Sequence, residues 1–187
     1  MEVGAWSGRR FIVLHGWDDD PTGGWLGWLQ ELLRSQGAQV LAPRFPTIRH
    51  REDILTWNQA LQDLISAIAP GDTIVAHSLG CWQALRALEA CDIDGRVDKV
   101  ILVSGFYDAP DERASAFFQP EPDWTRLKIV ASEYVCILSR DDTIVRPART
   151  RSLASMLDAR LVEMDGLGHF LGSRGMNTFP ELLSYLA

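Results

Sequence analysis

Along the chain, short runs that are apolar throughout alternate with longer stretches in which apolar residues return every three or four positions. The first kind reads as a strand covered on both faces, the second as a helix with one face buried. Strands are expected at Arg10–Leu14, Gln39–Ala42, Thr73–Ala76, Lys99–Val103, Tyr134–Leu138 and Leu161–Met164. Helices are expected at Trp25–Ser35, at about Glu52–Ala69, and at Leu79–Glu89, Pro147–Leu157 and Phe179–Leu186. The second helix shows its period most clearly, because Ile54, Trp57, Leu61, Leu64, Ile65 and Ile68 step by three or four. Gly37 closes the first helix and Pro70-Gly71 the second. Residues 1–8 read as a loose leader. Segment 105–132, with Pro110, Pro120 and Pro122, reads as the longest irregular stretch, with room for one short helix near Glu112–Phe118.

Six strands alternating with helices, most without a polar face, imply an α/β fold: a doubly wound, mainly parallel sheet in one domain spanning residues 1–187. In such sheets sites form beyond the carboxyl ends of the strands, so the residues just after each strand carry the most functional weight. Composition changes this picture little. At 187 residues and 47% hydrophobic, the chain is long and apolar enough for one sizeable core. A formal charge of −7 argues against nucleic acid or an anionic membrane surface as the main partner. The three Cys, at 81, 91 and 136, form neither a disulfide framework nor a zinc site. They read as reduced thiols, which suits the cytoplasm. Phe11 to Leu14 is too short an apolar run for a secretory leader, and no run approaches the roughly 18 apolar residues of a membrane span.

Candidate chemistry begins after the third strand. Thr73-Ile74-Val75-Ala76 runs into His77-Ser78-Leu79-Gly80, so Ser78 stands in a tight corner between strand and helix. That is the layout of a nucleophile elbow, here A-x-S-x-G, with small residues where strand and helix backbones pass close. A helix N-cap has the same local look. A Ser hydroxyl is a poor nucleophile at neutral pH and needs a base, and the base needs an orienting acid. The strand ending at Leu138 is followed by Ser139-Arg140-Asp141-Asp142, and the last strand by Gly166-Leu167-Gly168-His169. The order Ser78, then Asp141 or Asp142, then His169 is that of the α/β-hydrolase arrangement. Hydrolases of this fold often read G-x-x-D-x-x-V-P around the acid, and aligning that pattern selects Asp142, although Ser139 stands where the Gly would be and Pro147 comes one residue late. An oxyanion needs two donors. The expected ones are the backbone N–H of Leu79, at a helix N-terminus, and that of Trp17, in the turn that Gly16 permits after the first strand.

The chain resembles the small YdeN-like serine hydrolases, the group that includes retinoblastoma-binding protein 9. The matching pieces are Gly24-Trp25-Leu26-Gly27-Trp28, Ala76-His77-Ser78-Leu79-Gly80, Glu112-Arg113-Ala114-Ser115 with Phe118 and Trp124, Asp141-Asp142, and Gly168-His169-Phe170. The likeness spans nearly the whole chain. It implies a compact α/β-hydrolase without a large cap domain, and carries Ser78, Asp142 and His169 over as the triad. Ala76 departs from the Gly that relatives often have there.

The resulting expectation is a serine hydrolase, carboxylesterase-like, that cleaves a small ester, thioester or amide through an acyl-enzyme, with no metal or organic cofactor. The substrate is a small acyl compound, and no protein partner is identified. The alternatives are a peptidase or thioesterase, and, outside the enzymes, a protein-binding module on a hydrolase fold with vestigial activity. Trp25 and Trp28, with Trp17, have two readings: the lining of an acyl pocket, or helix-face packing. His77 reads as an elbow-shaping residue with a satisfied ring, His15 as an anchor of the oxyanion loop and His50 as a solvated side chain. Asp18-Asp19-Asp20 reads as a solvated turn, since it lacks the spaced carboxylates of a calcium loop.

Overall fold

The computed structural model describes residues 4–17, 19–46, 53–109 and 118–187, the side chains of 53–58 excepted. Six strands, β1 (Arg10–Leu14), β2 (Gln39–Leu41), β3 (Thr73–His77), β4 (Val97–Val103), β5 (Ala131–Ser139) and β6 (Arg160–Met164), form one sheet. Its order is β2-β1-β3-β4-β5-β6, and every pairing is parallel. Parallel neighbours need crossovers, and helices supply them: α1 (Gly24–Ser35), α2 (Asp53–Ala67), α3 (Leu79–Ala90), α4 (Trp124–Val130) and α5 (Pro147–Leu157).

The unbroken apolar runs have a direct structural reason. Alternate residues of the central strands enter two different cores. Ile12, Leu14, Ile74, Ala76, Val100 and Leu102 meet Leu64, Leu85, Leu127 and Leu153 from the helices α2 to α5 on one face. Phe11, Val13, Val75, Ile101 and Val103 meet Trp25, Leu29 and Leu33 of α1 and Phe179, Leu182 and Leu186 of the C-terminal segment on the other. A polar residue on either side of β1, β3 or β4 would be buried, so these strands cannot alternate. The strand β6, at one edge of the sheet, is more exposed.

Four expectations need correction. The strand β5 begins at Ala131 rather than Tyr134 and runs straight out of a helix, α4, that falls in the stretch expected to be irregular. Asp123 caps α4 by accepting from the Arg126 N–H at 3.0 Å. Ile129-Val130-Ala131 then passes from helix to strand with no Gly or Pro to mark the border. The closing helix is a 3-10 turn, Pro180–Tyr185, that follows a shorter one at Gly172–Arg174. The helix expected near Glu112–Phe118 falls almost wholly outside the described residues, as do Asp18, His50 and residues 1–3 of the leader. The rest of that leader is not loose: residues 4–8 lie against the domain, where the Trp6 N–H donates to the Gln36 carbonyl at 3.2 Å and its ring meets Phe11 edge-on. The connection between β4 and α4, residues 104–123, is too short to hold a cap domain. No helix among the described residues is long and apolar enough to cross a membrane.

Candidate active site

The site lies at the carboxyl edge of β3, β4 and β5. Ser78 follows β3 directly and starts α3 from a backbone at φ 53°, a left-handed conformation that non-glycine residues seldom adopt. Packing holds it there. A Cβ on Gly80 would lie 2.5 Å from the His15 carbonyl oxygen and 2.9 Å from that of Leu14, so only glycine lets α3 pass β1. A Cβ on Gly16 would lie 3.0 Å from Ser78 Cβ, which places the turn after β1 against the serine. The Ser78 N–H donates to the Val103 carbonyl on β4 at 2.9 Å.

From this corner the Ser78 hydroxyl lies 2.9 Å from His169 Nε2, and His169 Nδ1 lies 2.8 Å from Asp142 Oδ2. An ionised carboxylate only accepts, so Nδ1 carries the imidazole proton and Nε2 is free to accept from the serine. All three residues are nearly dry, with 8% of Ser78 and 4% each of His169 and Asp142 exposed. Burial pushes His169 below the ordinary imidazole value, and the Asp142 hydrogen bond recovers only part of that. For Asp142 burial acts upward, but its hydrogen bonds from His169, Ser104 and the Ile144 N–H outweigh it and hold the carboxyl below its usual range. Its Oδ1 accepts from the N–H groups of Ile144 and Val145 at 2.9 and 3.0 Å, and its Oδ2 from the Ser104 hydroxyl at 2.8 Å.

The neighbouring Asp141 does something else. It accepts from the Ser139 hydroxyl and from the N–H groups of Gly166 and Gly168, at 3.1 and 3.2 Å. Ser139 Oγ in turn accepts from the Leu167 N–H at 3.1 Å. The loop that carries His169 is therefore fastened to the end of β5. Its backbone turns through left-handed positions at Gly166, Gly168 and Phe170.

The two other described histidines shape the same corner. His15 accepts from the Phe45 N–H on Nε2 at 2.8 Å, so its Nδ1 donates to the Gly16 carbonyl and fixes the turn beside Ser78. His77 Nε2 donates to the His169 carbonyl at 2.9 Å. Among the described residues, its buried Nδ1 has no partner within hydrogen-bond distance and faces the Asp19 carboxylate at 3.7 Å, so the ring is satisfied on one side by that set. Asp20 accepts from the Thr22 N–H and hydroxyl and pairs with Arg44, so this part of the acidic run is a turn. No group of three metal-ligating side chains occurs among the described residues.

Of the remaining sequence candidates, Leu79 is the first residue of α3 and Trp17 follows Gly16 in the turn beside Ser78, its side chain half exposed. Trp25 is 1% exposed, donates its Nε1–H to the Phe170 carbonyl at 3.0 Å and meets His77 and Phe179 edge-on. These contacts match the packing reading of Trp25, not the lining of a pocket. Trp28 packs half-buried against the same core. A cavity of about 260 Å³ lies on the segment after β4, between Tyr107, Ala109, Phe118 and Pro122. Sequence reasoning passed over Ser104 and the Asp141 contacts. Ser104 had one available signal, its place directly after a central strand.

This parallel sheet, with helices on both faces and no inserted cap, is an α/β-hydrolase fold. The chain belongs to the serine hydrolase family, whose sequence profile matches residues 11–187. It is 31% identical over 182 residues to YdeN of Bacillus subtilis (strain 168), covering 95% of this chain and 94% of that one. It is 31% identical over 174 residues to serine hydrolase RBBP9 of Rattus norvegicus, covering 90% and 88%. The crystal structure of the B. subtilis ydeN gene product superposes with a TM-score of 0.86 at 29% identity, over 95% of this chain and 96% of that one. The Pyrococcus furiosus esterase Pf2001 shares the fold at a TM-score of 0.62 and 17% identity, over 96% and 80%.

Proposed function

We propose that the protein hydrolyses a small ester, thioester or amide by attack of Ser78 on the carbonyl carbon, with carboxylester chemistry the best fit. The observation that carries this reading is the unbroken chain from Ser78 Oγ through the His169 ring to the Asp142 carboxylate, with contacts of 2.9 and 2.8 Å. His169 Nε2 takes the serine proton as the new C–O bond forms. Asp142 holds the ring and stabilises its charged form. The Leu79 and Trp17 N–H groups receive the oxyanion, each such donor contributing about 2.7–4 kcal/mol. His169 then hands its proton to the leaving group, and the acyl chain stays on Ser78. Water, deprotonated by the same nitrogen, attacks the acyl carbon; the bond to Ser78 Oγ breaks, His169 returns the proton to that oxygen, and the acid leaves. Ser78, His169, Asp142 and the two N–H groups take every catalytic role in these steps. The β4–α4 connection is too short for a cap domain, which favours small or extended substrates. Three unpaired, buried cysteines support a reducing compartment such as the cytoplasm.

The test is labelling with a fluorophosphonate probe, wild type against Ser78→Ala. The wild type is expected to label and the variant not to. An unlabelled wild type sinks the hydrolase mechanism, and an equally labelled Ser78→Ala variant moves the nucleophile elsewhere.

A further inference from the structure

Ser104 is the first residue after β4, and its surroundings fix its place. Its N–H donates to the Ile137 carbonyl of β5 at 2.8 Å, continuing the register that pairs Val103 with Ile137. The next carbonyl, that of Gly105, accepts from Thr150 Oγ1 of α5 at 2.8 Å. The residue is 1% exposed, and its backbone lies at φ 48°, where a side chain is strained. A dry polar side chain on a strained backbone at the edge of a central strand calls for a reason beyond packing.

The hydroxyl supplies one. It donates to Asp142 Oδ2 at 2.8 Å, the same oxygen that accepts from His169 Nδ1. The other carboxylate oxygen is held by the Ile144 and Val145 N–H groups. Donors on Oδ1 alone pin one corner of the carboxylate. A rigid donor on Oδ2 fixes its plane, and with it the direction in which the imidazole must lie. That donor also draws negative charge away from the imidazole, so it restrains the rise in basicity that the carboxylate gives His169.

We propose that Ser104 is a positioning residue for this site: its hydroxyl sets the plane of the Asp142 carboxylate and shares Oδ2 with His169, tuning both the aim and the basicity of the ring. This rests on the reading of Ser78, His169 and Asp142 as the catalytic triad. Two variants of the full chain separate the hydroxyl from the strain. Ser104→Ala removes the hydroxyl and keeps the strained backbone, whereas Ser104→Gly removes the hydroxyl and relieves it. Fluorophosphonate labelling, kcat and KM on a short p-nitrophenyl ester, the pH profile of kcat/KM and the thermal midpoint are compared with wild type. In both variants kcat is expected to fall about tenfold with KM changed less than about twofold, the size of one lost bond to a charged group. The acidic limb of kcat/KM is expected to move to higher pH in both. A Ser104→Gly variant with wild-type kcat, or an acidic limb unmoved in both variants, overturns the proposal while leaving the triad intact. A wild type that takes no label overturns the triad reading and this proposal with it.

Discussion

Asp141 and Asp142 are adjacent in the chain, yet one holds the backbone that carries His169 and the other holds its ring. Asp142 Oδ2 accepts from His169 Nδ1 at 2.8 Å, while Asp141 accepts from the Gly166 and Gly168 N–H groups at 3.1 and 3.2 Å. The histidine loop therefore rests on the end of β5 at two points, through two carboxylates with different duties.

The two duties differ in what an amide can replace. Asn at 142 can turn an N–H toward His169 Nδ1, which disfavours the tautomer that accepts from Ser78, so Asp142→Asn is expected to lower kcat by about 10³–10⁴. Asn at 141 keeps a carbonyl oxygen for the two glycine N–H groups, so Asp141→Asn is expected to cost less than about tenfold. Asp141→Ala leaves those N–H groups and the Ser139 hydroxyl without their acceptor and should fall between the two. Steady-state assays on a p-nitrophenyl ester decide it; equal losses in the two Asn variants refute the division of labour.

The pH profile follows from the burial of His169. A general base must be neutral, and burial holds this imidazole below its ordinary value of about 6.5. Activity is therefore expected to persist below that pH, and kcat/KM to fall only as the pH drops through the depressed value. A limb centred above about 6.5 contradicts the burial argument.

Much of this site could be read from the sequence because Ser78, Asp142 and His169 each follow a strand, and strands covered on both faces announce themselves as unbroken apolar runs. Choosing Asp142 over Asp141 took more than position, since both stand in the same loop, and only the pattern of residues after the acid separated them. Ser104 was not legible as a participant. Its place after a central strand was the one signal, and a Ser-Gly there points to no role until Asp142, far along the chain, is brought close by the β4–β5 pairing. The helix α4 was hidden for a local reason. It is seven residues long, and its last residues, Ile129 and Val130, favour strands as much as helices. Tertiary packing of Leu127 and Val130 into the core decides between them.

The two small residues around Ser78 are not equivalent. A methyl on Gly80 would meet the backbone carbonyls of His15 and Leu14, neither of which can move without shifting β1. Gly80→Ala is expected to destabilise by about 1–3 kcal/mol or more, and to lose fluorophosphonate labelling as the turn beside Ser78 is displaced. Ala76 is wholly buried inside β3, and Ala76→Gly meets no clash: it adds backbone freedom and removes one buried methyl, together about 1–2 kcal/mol, and is expected to keep the labelling. Urea denaturation of both variants, read beside the labelling, checks the contrast. A Gly80→Ala chain as stable and reactive as wild type is incompatible with this packing.

The remaining nucleophiles are predicted to be silent. Cys81 lies one turn beyond Ser78, but it is wholly buried, and burial drives its thiol well above the usual range. Burial likewise pushes Cys136 up to about 12 and raises Cys91. A thiol reacts as the thiolate, and a buried, protonated one offers neither charge nor access. Native protein treated with iodoacetamide at neutral pH is therefore expected to keep all three cysteines unmodified and its activity unchanged, whereas the same reagent in denaturant should modify all three. Mass spectrometry of the treated protein counts the adducts directly. Alkylation of Cys81 in the native state with loss of activity would mean that the first turn of α3 opens to solvent, and that the strained corner at Ser78 is held less firmly than its contacts with β1 and β4 imply.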